Sequence, residues 1–98
     1  MPNQTKNQIR PLFGLGRIIA TPGALVVMLG LGVSAVSLLS RHQRGDWGEL
    51  DPVDKAENDT ALINGARIFS AYIFDTVKLW VITEADRSAT TILLPEEY

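Results

Sequence analysis

The sequence predicts an α+β fold: one N-terminal strand, three short helices, then a three-stranded antiparallel meander packed against the helices. The first observation behind this is a change of apolar period, from the helical repeat before Arg67 to strict alternation after it. The second is punctuation. Thr21-Pro22 and Asp51-Pro52 pair a capping side chain with proline at the first helical position, and Gly32 and Gly65 stand where helices would stop. With 98 residues there is room for a single core, so residues 11–98 form one domain behind a polar, flexible segment 1–10.

Phe13 to Ala20 reads as the first strand, bordered by Gly14 and Gly16. Ala24 to Leu31 follows as a buried helix, and Ser34 caps a second from Ala35 to about His42 with Val36, Leu38 and Leu39 inward. Arg44-Gly45-Asp46-Trp47-Gly48 supplies a turn whose glycines permit positive φ, with Trp47 as a core plug beneath it. The third helix starts behind Asp51 and runs through Val53, Ala56, Ala61 and Leu62 to Gly65. Arg67–Phe74, Lys78–Glu84 and Ser88–Leu94 are strands joined by hairpin-length breaks at residues 75–77 and 85–87. In the middle strand, alternation separates Leu79, Val81 and Thr83 from Trp80, Ile82 and Glu84. Pro95 ends the last strand, leaving Glu96, Glu97 and Tyr98 as an acidic tail.

The 23 residues from Ile18 to Ser40 carry no charge and lie between Arg17 and Arg41, which is long enough to span a bilayer. Thr21-Pro22-Gly23 and the glycines Gly30 and Gly32 interrupt the run, so two short apolar helices mimic one span. A soluble, cytoplasmic protein is the expectation, with membrane contact possible but not favoured. The apolar surface of Ala24–Leu31 exceeds what so small a domain hides, which points to a homo-oligomer.

Composition removes several chemistries. There is no cysteine, hence no disulfide or thiolate, and His42 is the lone histidine. Phosphate-binding loops, dinucleotide fingerprints, nucleophile elbows and zinc-protease motifs are all missing, so no cofactor, no metal and no catalytic set is expected. The charge is uneven: residues 1–44 sum to +5 and residues 45–98 to −7. That dipole either orients the molecule toward a charged partner or lets its two halves attract each other. Nine basic residues without a cluster argue against direct nucleic-acid contact.

Two polar groupings supply candidate binding residues. The first is His42, Arg44, Asp46 and Trp47, where the imidazole titrates near neutrality or, more simply, caps a helix C-terminus. The Arg44-Gly45-Asp46 tripeptide matches an adhesion motif by letter alone. The second is Glu84, Asp86, Arg87, Thr90 and Thr91 about the last hairpin, where carboxylate, guanidinium and hydroxyls could hold an anion or a partner loop, or simply satisfy the turn. The leading expectation is a non-catalytic binding or accessory protein whose partner is another protein. The alternatives are a small endoribonuclease-toxin-like enzyme using His42 and Arg87, which the acidic balance opposes, and a single-span membrane accessory protein.

At Arg41-His42-x-x-Gly45-Asp46-Trp47-Gly48, and over Trp80 to Pro95 (WVITEADRSxTTxLLP), the chain resembles a family of small uncharacterised bacterial proteins often labelled plasmid-related or hypothetical. The resemblance covers roughly residues 15–98. It implies a cytosolic protein of chromosomes and mobile elements with no activity attached, and an acidic protein in that setting could inhibit a host defence complex. Val26 to Leu31 departs from the family pattern, in which charged helical residues occupy this stretch.

Overall fold

The computed structural model describes residues 10–98. The expected segment 1–10 lies outside the described residues except for Arg10, which is exposed. In chain order the elements are β1 (Arg17–Ala20), α1 (Pro22–Leu31), α2 (Ala35–Gln43), α3 (Pro52–Asn64), β2 (Ile68–Phe74), β3 (Val77–Thr83), β4 (Ala89–Leu93) and a short 3-10 turn, Pro95–Glu97. The α+β class and the order of elements are as the sequence predicts.

The sheet differs in one respect. It has four strands in the order β1-β4-β3-β2, and β1 joins parallel to β4, with Ile18 beside Thr90 and Ala20 beside Ile92. The three-stranded antiparallel meander is therefore the larger part of a mixed sheet, and the N-terminal strand completes it. Strand β1 is also shorter than expected. Phe13 to Gly16 stay outside it, because Gly16 takes a left-handed φ of 65°, which breaks the ladder before Arg17.

The helices begin and end on the expected residues. Side chains of Thr21, Ser34 and Asp51 accept the backbone N–H of Ala24, Ser37 and Asp54, and Gly32 and Gly65 hold the left-handed terminal positions. α1 and α2 meet at a 103° bend, and no single helix among the described residues is long and apolar enough to cross a membrane; the bent pair passes that test by length and composition only when taken together. The N-terminus of α1 lacks an acid in its first turn, and Glu97 supplies one from the other end of the chain. Its carboxylate accepts from the Thr21 hydroxyl, the Gly23 N–H at 3.1 Å and the Leu94 N–H at 2.8 Å.

One core lies between the helices and one face of the sheet: Ala24, Met28 and Leu38 against Tyr72, Leu79, Val81 and Ile92. A second gathers Trp47, Ala61 and Ile68 with Phe13, Leu50 and Leu62. Trp47 is the plug the sequence predicts. The expectation that Ala24–Leu31 is buried holds only for one side of α1. Ala24 and Met28 are covered, whereas Leu25, Val26 and Leu29 are exposed, Leu29 by 83%. Val36, expected inward, also faces solvent, as does Val53 of α3.

Candidate functional site

The two predicted groupings meet inside the molecule. His42, near the end of α2, reaches the sheet where alternation has placed hydroxyls on the covered face. Its Nδ1 lies 2.6 Å from Ser70 Oγ and its Nε2 lies 2.9 Å from Thr83 Oγ1. Thr83 Oγ1 is 2.7 Å from Thr90 Oγ1, and Thr90 donates to the Leu15 carbonyl at 2.8 Å. That last bond sets the direction of the whole chain. Thr90 has spent its proton, so Thr83 donates to it, His42 donates from Nε2 to Thr83, and Ser70 donates to Nδ1. The imidazole is neutral with both nitrogens satisfied. All four side chains are fully buried, and burial pushes His42 down to about 4.

This corrects the reading of His42 and Thr90 as exposed binding residues, and of His42 as a helix cap. The imidazole presents no surface to solvent in this arrangement. The signal that could have found this arrangement is a hydroxyl at a buried strand register: Ser70 between Ile68 and Tyr72, Thr83 after Leu79 and Val81, Thr90 before Ile92.

The remaining candidates serve the fold. Arg41 forms a two-pronged contact with Asp46, at 2.7 Å from Nε and 3.3 Å from Nη2, and its guanidinium lies 4.3 Å from the centre of the Tyr72 ring. The Arg41 hydrogen bond holds the Asp46 carboxyl below its usual range and raises Arg41. Asp46 also accepts from the Gly48 N–H, and Trp47 donates to Asp59. Arg87, in a left-handed turn conformation, donates to the carbonyls of Ala61, Ala66, Glu84 and Ala85, tying the last hairpin to the end of α3. Asp86 accepts the Ser88 N–H, the ordinary work of a turn aspartate. Arg44 and Glu84 are exposed, and Thr91 is half-buried on the opposite side of the sheet from Thr90. The structure does not gather these residues into one accessible site.

What sequence reasoning missed is the opposite face of the sheet. Register places Ile19, Thr91, Ile82 and Phe69 in one row across it, and Leu93, Trp80 and Ala71 in the next. On this side Ala71, Ile82 and Leu93 are buried, Phe69 and Trp80 are half-buried, and Tyr98, after the Pro95–Glu97 turn, packs on Trp80. Phe69 meets Trp80 edge to face at 5.0 Å, Trp80 meets Tyr98 at 5.8 Å, and Arg67 lies over Tyr98 while donating to its hydroxyl. Arg67, Phe69, Trp80, Ile82 and Tyr98 enclose a depression of about 170 Å³. Arg67 also borders an open trough of about 660 Å³ along α3, walled by Val53, Ala56, Glu57, Thr60 and Asn64. The depression falls below the roughly 300 Å³ at which small-molecule sites begin, and fits a single side chain. Among the described residues, no group of three metal-ligating side chains converges.

Comparison with protein-family models, with curated proteins and with solved structures finds no match to this chain.

Proposed function

We propose that the chain is a non-catalytic binding protein that takes a segment of another protein on the bare sheet face, with an apolar side chain in the Trp80 depression and the flanking residues along the α3 trough past Arg67. The observation that carries this is the division of labour just described. The imidazole is sealed and the Arg87 guanidinium is spent on carbonyls, while Phe69 and Trp80 are half-buried and Tyr98 is exposed in one aromatic cluster. Half-exposed aromatics beside an arginine are the side chains that anchor protein interfaces. The expected setting, the cytoplasm of a bacterium that carries mobile elements, comes from the family resemblance and is part of the proposal, as is a host defence complex as the class of partner.

Affinity purification of a tagged chain from its host, run beside Trp80→Ala and Arg67→Ala, tests the reading. A protein partner captured by the natural chain and lost with Trp80→Ala, at unchanged circular dichroism, is the expected result. Equal capture by both would remove the site. RNA cleavage by the purified protein, abolished by His42→Ala, would instead establish the enzyme, and recovery in the carbonate-resistant pellet would establish membrane attachment.

A further inference from the structure

The two edges of the sheet are finished differently. Along β2 the outward N–H and C=O of Phe69 and Ala71 and the N–H of Ile73 are engaged from outside. Asn58 donates to the Phe69 carbonyl at 2.6 Å and accepts its N–H at 3.1 Å. The Trp47–Glu49 turn then takes both groups of Ala71, and the Glu49 carboxylate accepts the Ile73 N–H at 3.0 Å. Gly48 makes the approach possible: its φ is 78°, and a Cβ there would collide with the Ala71 carbonyl. Such an edge accepts no further strand.

Along β1 there is no such cover among the described residues. Arg17 and Thr21 donate inward, to the carbonyls of Ser88 and Ile92, so alternation turns the N–H and C=O of both Ile18 and Ala20 outward. The side chains flanking this edge are apolar on both sides of the sheet. Ile18, on the helix-covered side, is 48% exposed, and Ile19, on the bare side, is 41% exposed.

From this asymmetry we infer that the chain pairs with a second copy of itself through β1, antiparallel about a two-fold axis at Ile19. In that register the outward groups of Ile18 exchange hydrogen bonds with those of Ala20 in the copy, and the reverse. The two Ile19 side chains meet as a close, non-hydrogen-bonded pair. A second copy matches this edge better than a lone peptide. Only Thr21 separates β1 from α1, so joining the strands also brings the two exposed apolar helix surfaces of Leu25, Val26 and Leu29 together, and a peptide strand would supply no second helix layer. Because the β2 edge is closed, the pairing cannot continue from copy to copy. It ends at a dimer.

Light scattering on the whole chain tests the inference. The natural protein is expected at twice 10.7 kDa, and Ile19→Lys or Ile18→Pro at 10.7 kDa with circular dichroism unchanged. The chain has no cysteine, so Ile19→Cys places one thiol per copy at the axis. Oxidation is expected to yield a covalent dimer from Ile19→Cys and none from Ile73→Cys on the closed edge. A natural protein that remains monomeric at every concentration reached overturns the inference. So does a dimer that survives Ile19→Lys without cross-linking through Ile19→Cys, since that copy would be seated on α1 or on the Trp80 face. A natural protein that is monomeric yet still captures its partner would refute this pairing alone, leaving the reading of the Trp80 face in place.

Discussion

The helix-covered face of the sheet holds Ser70, Thr83 and Thr90 together with His42 of α2, while the bare face holds Phe69, Trp80 and Ile82. A buried polar chain thus sits within the apolar core on one side, and a partly exposed aromatic cluster lies on the other. The covered side shows that hydroxyls and an imidazole can replace apolar core atoms when each proton has an acceptor, because the desolvation cost falls only on unpartnered groups. On the other side Phe69, Trp80 and Tyr98 pack edge to face while remaining partly in water, and the proposed partner segment would cover them.

Acid should break this contrast most strongly. His42 titrates at about 4 when folded and near 6.5 when unfolded. The unfolded chain therefore binds the proton first, and stability present above pH 6.5 is lost as pH falls toward 4. The loss is roughly 3 kcal/mol across that window, read from urea unfolding at successive pH values. His42→Gln, which keeps polar atoms but cannot titrate, should remove most of that slope. His42→Ala at pH 7 leaves a cavity and strips Ser70 and Thr83 of their partner, and should cost about 3 kcal/mol in the same assay.

Adjacent threonines sharpen the comparison without changing volume. Thr90→Val deletes the hydroxyl that ends the covered chain and orphans Thr83 and the Leu15 carbonyl, for an expected loss of about 2 kcal/mol. The Arg41–Asp46 pair is about one-third exposed at both ends, so a double-mutant cycle should find a coupling of only about 0.5–1 kcal/mol, weaker at high salt. Thr91→Val, one residue from Thr90 but on the bare face, should leave the unfolding midpoint within about 0.5 kcal/mol of the parent. Equal effects at Thr90 and Thr91 would remove the distinction between the two faces.

Local chemistry was legible in the sequence. The caps at Thr21, Ser34 and Asp51 and the stops at Gly32 and Gly65 depend on neighbours a few residues away, and the structure realises each one. The bend that divides Ile18–Ser40 into two helices follows from the same local rules. The parallel union of β1 with β4 was not legible, because no hairpin or short crossover joins residues so far apart in the chain. His42 shows a second limit. Its partners Ser70 and Thr83 come from two strands, with Thr90 of a third bonded to Thr83, and a histidine near a helix end reads as a cap unless the buried hydroxyl registers are considered jointly. Arg87 likewise finds carbonyls of α3 that no spacing rule connects to a hairpin. That α1 has more apolar surface than the domain hides was legible, but which side is exposed was not, because a helix apolar on all sides does not reveal which side its own domain will cover.

The reach of Glu97 back to Thr21 and Gly23 has a consequence for biosynthesis. Strand β1 is made about 70 residues before its partner β4 and the carboxylate that completes the first turn of α1. Until Ala89–Glu97 have been translated, β1 has no strand to pair with and α1 no carboxylate at its first turn, so the apolar stretch from Ile18 onward is only partly covered by β2 and β3.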